Sequence, residues 1–171
     1  MGLMARIRWS DGAVWDTGVI RARSRYDTSP APSGLWTTAD GTGTGQANEA
    51  YEATYTIGAG VTTSIDLLGA GSEKNLINQT LAFTKVKGVE LVLTTTPAAG
   101  VSVRLGPQGV ADAAQLWFQA ATTNFWVEVR DRFAMLDRAV GWPLTAPAVK
   151  LPIHNPGAAS VSVWVRIIGT R

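Results

Sequence analysis

The only histidine in the chain is His154, and there is no cysteine at all. A hydrolytic triad needs a general base within reach of a nucleophile, and a zinc site needs several nitrogen or sulfur ligands. A lone histidine between Ile153 and the turn sequence Asn155-Pro156-Gly157 supplies neither, and reads as a polar cap at a strand end. Glu128, Asp131 and Asp137 are the acids nearest to the paired arrangement of glycoside hydrolases, in which two carboxyls stand roughly 5–10 Å apart. They alternate with Arg130, Arg132 and Arg138, so a solvated ion-pair cluster around a turn is the simpler expectation. Gly41-Thr42-Gly43-Thr44-Gly45 lacks the Lys-Ser/Thr of a phosphate-binding loop. Asp11, Asp16, Asp27 and Asp40 fall into no calcium-loop spacing and suit ordinary turns. We therefore expect a non-enzyme, with no catalytic, cofactor-binding or metal-ligating residues.

The residues better suited to chemistry are those that bind. Arg21, Arg23 and Arg25 alternate with small residues, which gathers three guanidinium groups on one side of an extended segment. Trp9, Trp15 and Tyr26 lie near this stripe and Trp36 follows it. Stacking plus phosphate contact would suit single-stranded nucleic acid. However, the tryptophans precede the stripe instead of interleaving with it, and the rest of the chain is close to neutral. Docking on an acidic protein surface fits the same residues better, because Arg and Trp are the favoured anchors of protein interfaces. Pairing of the stripe with the chain's own acids stays open. Trp117, Trp126 and Trp142 are candidates for a subunit interface or, if they form a solvent-facing row, for a sugar platform.

These residues must be held by mostly short strands. Residues 27–50 are dense in Pro and Gly, so residues 1–50 are expected to be an extended N-terminal arm or linker anchored by Trp36. From residue 51 to 171 the pattern changes to short strands with turns between them. Tyr51, Ala53, Tyr55 and Ile57 alternate with Glu52, Thr54 and Thr56, and Val161, Val163, Val165 and Ile167 alternate with Ser162, Trp164 and Arg166. The apolar phase switches at Gly88 within residues 81–95, the expected longest strand, which suggests a bulge. Strand candidates also include Leu116-Trp117-Phe118, and Val110 to Gln115 is the one stretch suited to a helical turn. Regular short strands predict an all-β, antiparallel sandwich over residues 51–171 with a jelly-roll-like arrangement. Only 16% of the chain is charged and seven residues are Trp, which suits a subunit that buries surface against neighbours. The start lacks a signal-peptide h-region and no apolar run is long enough to span a bilayer, so synthesis in a cytoplasm without secretion is expected.

The stretch from Leu67 to Arg171 resembles small jelly-roll-like structural proteins of tailed bacteriophages and prophages. The resemblance rests on Asn75-Leu76 leading into Leu81 to Val89, on the Val103-Arg104-Leu105-Gly106-Pro107 turn, and on the ending from Asn155 through Ile167-Ile168-Gly169-Thr170. It implies a virion protein, most simply a capsid decoration (cement) subunit that forms a homo-oligomer and binds a major capsid or tail protein. A tail or fibre adaptor and a carbohydrate-binding, receptor-binding module are the alternatives. It implies no cofactor, no membrane partner and no catalytic residue.

Overall fold

The computed structural model describes residues 7–8, 13–16, 19–23, 35–39, 41–69, 73–94, 101–107, 126–137, 139–146 and 149–171. All secondary-structure elements among them are β-strands. The candidate helical turn at 110–115, the strand candidate around Trp117, and Trp9, Arg25 and Tyr26 lie outside the described residues.

The sandwich has two antiparallel sheets. One is built from β5 (Glu49–Ile57), β7 (Lys85–Leu93), β10 (Arg132–Leu136), β11 (Trp142–Pro143) and β13 (Val161–Thr170). Its order is β10-β7-β13-β5, with β11 beside β10 on the outer side of β7. The other sheet, in the order β6-β12-β8-β9, uses β6 (Thr62–Asp66), β8 (Val103–Leu105), β9 (Val127–Val129) and β12 (Lys150–His154). The chain passes from one sheet to the other at almost every connection, which is how a jelly-roll-like sandwich places distant segments side by side.

Period-two alternation decides which residues fill the core. Val161, Val163, Val165 and Ile167 of β13 lie opposite Ile57, Tyr55, Ala53 and Tyr51 of β5, so both sets face the second sheet. Val89, Leu91 and Leu93 of β7 join them on one side, and Ile65, Val103, Leu105, Leu151 and Ile153 close from the other. The longest strand is β13, with ten residues; β7 has nine and starts at Lys85. Residues 81–84 drop out of the expected strand because their backbone turns to other partners, with Phe83 donating to Leu67 and Thr84 to Thr170.

The phase switch near Gly88 is a register shift. Ile168 pairs with Gly88 and Gly169 with Val86, which leaves Lys87 as the extra residue of a bulge. Gly169 is needed there: a Cβ at this position would lie 2.0 Å from the Lys85 carbonyl oxygen. The bulge also sends the Lys87 side chain into the fold, where it is almost fully buried. Its Nζ donates to the carbonyls of Gly43 (2.5 Å) and Gln46 (2.8 Å). Burial, with Lys85 nearby, holds this ammonium below the usual lysine range, and the carbonyl oxygens compensate part of that desolvation.

This latch changes the N-terminal boundary. Residues 41–50 were expected as the end of the arm, yet Ala47, Glu49 and Ala50 are buried and Glu49 opens β5. The Gly-Thr repeat is a turn clamped by Lys87, so the sandwich begins by residue 41. Ahead of it, the segment expected as an extended arm holds a small sheet of its own. β1 (Ile7–Arg8), β2 (Ala13–Asp16), β3 (Val19–Arg23) and β4 (Leu35–Ala39) pair in the order β1-β2-β3-β4, all antiparallel. Trp36 belongs to β4, which sequence alone placed in a linker.

Candidate interaction surfaces

Register divides the N-terminal sheet into two unlike faces, because directly paired residues share a face. Arg8, Val14, Arg21 and Thr37 form one row, and Arg23 with Leu35 is on the same face. The opposite face takes the row Ile7, Trp15, Ile20 and Thr38, and the row Ala13, Ala22 and Trp36. Two members of the expected stripe, Arg21 and Arg23, thus share a face, and pairing adds Arg8. Trp15 and Trp36, which are far apart in sequence, share the other face.

The outer face of the β10-β7-β13-β5 sheet carries charged residues that sequence reasoning did not single out. Glu52, Arg166, Glu90 and Ala134 form one row across four strands. Arg166 lies 3.3 Å from Glu52 and 3.7 Å from Glu90, while Arg132, one row away, lies 2.7 Å from Glu90. Trp164, in the adjacent row, donates its indole N–H to Glu52 at 2.9 Å and lies under the Arg166 guanidinium at 4.5 Å. Glu90 is 0% exposed and Arg166 2%, and each faces a group of opposite charge, which offsets part of the cost of burying it. Burial lowers the Arg166 pKa more than its two acids raise it. Arg132 was expected to pair with its sequence neighbours; strand alternation instead aims it across the sheet at Glu90.

The outer face of the β6-β12-β8-β9 sheet is wetter. Thr62, His154, Arg104 and Glu128 occupy one row by register. His154 ends β12 and its Nδ1 is 3.0 Å from the Thr62 hydroxyl, the polar partner of a strand end. The Arg104 guanidinium stands 4.6 Å over the Trp126 ring, which is 38% exposed. Glu128 pairs with Arg130 at 3.0 Å, and hydrogen bonds from Arg130 and Ser102 hold its carboxyl below the ordinary range. Asp137 caps a turn by accepting from Ala139 (2.9 Å) and Val140 (3.2 Å). Trp126 and Trp142 do not form a row: Trp142 packs against the core, and Trp117 lies outside the described residues.

Where β5 begins, Glu49 is 0% exposed beside the last residue of the chain. Arg171 Nε is 3.2 Å from its Oε2, and the same guanidinium holds Gln79 and the Thr80 carbonyl. Burial raises the Glu49 pKa above 4.5 despite the lowering effects of Asn75 and Arg171. In the window above 4.5 the folded state binds a proton that the unfolded state has released, so this group's contribution to stability falls as pH rises. Glu49→Gln is therefore expected to melt higher than the parent at pH 7 and to lose that advantage below about pH 4.5. Thermal scans across this range check it; a variant that melts lower at pH 7 would show that the Arg171 pair outweighs the burial.

No family model matches the chain. No curated protein matches it either. Among solved structures, one described as the crystal structure of FLHE aligns over 71% of this chain and 96% of its own, with 16% identity and a TM-score of 0.33.

Proposed function

We propose that this chain is a non-enzymatic structural protein of a bacteriophage virion, a capsid decoration subunit that works as an oligomer through protein–protein contacts. The observation that carries the reading is the N-terminal sheet. Among the described residues its strands pair only with one another, and register sorts its residues into an arginine-bearing face and a face with Trp15 and Trp36. The sandwich behind it has a core filled by its own residues. A four-stranded sheet of this kind gains stability by covering its apolar face, and Arg and Trp are the side chains that dominate interface energetics. An acidic patch on a capsid or tail protein is the complementary surface, and repetition on a lattice multiplies modest single-site affinity.

The test is removal of residues 1–39, measured by thermal unfolding and by retention on purified particles. Residues 41–50 must stay, since Lys87 and the core hold them. The shortened chain is expected to melt close to the parent and to lose particle binding. Arg21→Ala with Arg23→Ala is expected to give a partial, salt-sensitive form of the same loss. Undiminished binding by the shortened chain would contradict this role for the sheet.

A further inference from the structure

Strand β5 is the last strand of its sheet. Its odd residues pair with β13, so the N–H and C=O groups of the even residues point away from the sheet. The Ala50 carbonyl confirms the direction, because it accepts from Leu76 on the far side at 3.1 Å. Among the described residues no other backbone group bonds to this edge, which leaves Glu52, Thr54 and Thr56 facing outward.

Edge strands usually carry a device that prevents pairing, such as a lysine, a proline or a bulge. Between Glu52 and Thr56 there is none, and the register with β13 runs unbroken from Ile57 to Glu49. The single charge, Glu52, is turned inward to Trp164 and Arg166. Thr54 and Thr56 are exposed. Toward the described residues the strand is open from Glu52 to Thr56, and it is rich in β-forming residues.

We infer that β5 is the seam of a symmetric dimer, in which it pairs antiparallel with β5 of a second copy about a two-fold axis at Thr54. The sequence is self-complementary in that register. Thr54 faces Thr54 of the second copy, and Glu52 faces Thr56, so no like charges meet. On the core side Tyr55 faces Ala53, a large residue against a small one. The outward groups of Glu52, Thr54 and Thr56 then exchange about six backbone hydrogen bonds. Because the axis is perpendicular to the sheet, both cores stay on one side and the two sheets become continuous. A protein strand of different sequence has no such built-in match. The inference rests on the oligomeric part of the proposed function, but the two fail separately. Particle retention tests attachment through the N-terminal sheet, whereas solution mass tests this seam.

The experiment is sedimentation of the full-length chain over a range of concentrations. The parent is expected at twice the 18.1 kDa chain mass. Thr54→Asp and Thr54→Lys each place like charges across the axis and are expected to weaken the dimer roughly tenfold or more. An equal mixture of the two variants is expected to recover it, since the charges then oppose. Thr54 is exposed and its backbone groups face outward, so both variants should melt near the parent. Independently of any substitution, the Thr54 and Thr56 amides of the parent are expected to exchange slowly when concentrated and fast on dilution. A monomeric parent, single variants that dimerise like the parent, a mixture that stays monomeric, or exchange that ignores dilution would each overturn the seam.

Discussion

Arg166→Met is expected to lower the melting temperature by roughly 10–20 °C, the largest loss from a single substitution in the sandwich. The side chain lies between Glu52 and Glu90 with 2% of its surface exposed. Methionine fills most of the volume but leaves Glu90, itself 0% exposed, with Arg132 as the cation beside it at 2.7 Å. Removing one partner of a buried ion pair costs about 3–5 kcal/mol. Glu90→Leu alone should also be costly, since it takes one of the two carboxylates from the buried Arg166 and leaves it with Glu52. The double variant should recover most of the loss, because Glu52 and Arg132 stand nearer to solvent, at 14% and 28% exposure. Thermal or denaturant unfolding of the two single variants and the double variant gives the coupling directly. Strictly additive losses would mean that the row is not a coupled unit.

The second large effect is at Asn155, which ties two turns together. Its side-chain amide donates to the carbonyls of Ile57 (3.0 Å), Gly58 (3.0 Å) and Ala159 (2.7 Å), while its Oδ1 accepts from Gly157 at 2.9 Å. All four bonds come from a residue that is 0% exposed. Asn155→Ala removes all four bonds; the Gly58 carbonyl keeps the Val61 N–H as a donor, and the expected loss is about 2–4 kcal/mol. Asn155→Asp is the sharper test. It keeps the acceptor for Gly157 but sets a charged oxygen against three carbonyls, so at pH 7 it should melt below the alanine variant. Burial among acceptors raises the pKa of such an acid, and protonation restores a donor. The deficit against the parent should therefore shrink as pH falls. An Asn155→Asp chain that melts like the parent at pH 7 would show that the cross-tie contributes little.

The strands of the sandwich were legible because their core-facing residues alternate strictly, as in Tyr51 to Ile57 and Val161 to Ile167. The bulge beside Gly88 was legible as a phase change for the same reason. What alternation could not reveal is the second burial of β7 and β13, whose outer faces are covered as fully as their inner ones. A lone Glu90 or Arg166 inside an apolar strand is the available signal, but its partner depends on which strands become neighbours, and that is not a local property. The N-terminal sheet was missed in part because β1, β2 and β4 are too short to show a period. The clamp on residues 41–46 was missed because it depends on Lys87, some forty positions away. Of the expected binding residues, the sharing of a face by Arg21 and Arg23 followed from their spacing, whereas the placing of Trp15 and Trp36 on the other face required the pairing of three strands.

The most direct test of the proposed virion role is to look for this chain in phage particles purified from an induced culture of a host that carries its gene, by quantitative mass spectrometry and reconstruction of the particle. The account predicts a fixed copy number that follows the particle's symmetry, with the arginine-bearing N-terminal sheet against a capsid or tail protein. A chain absent from the particles, or present with that sheet facing solvent and the contact made elsewhere, would contradict it.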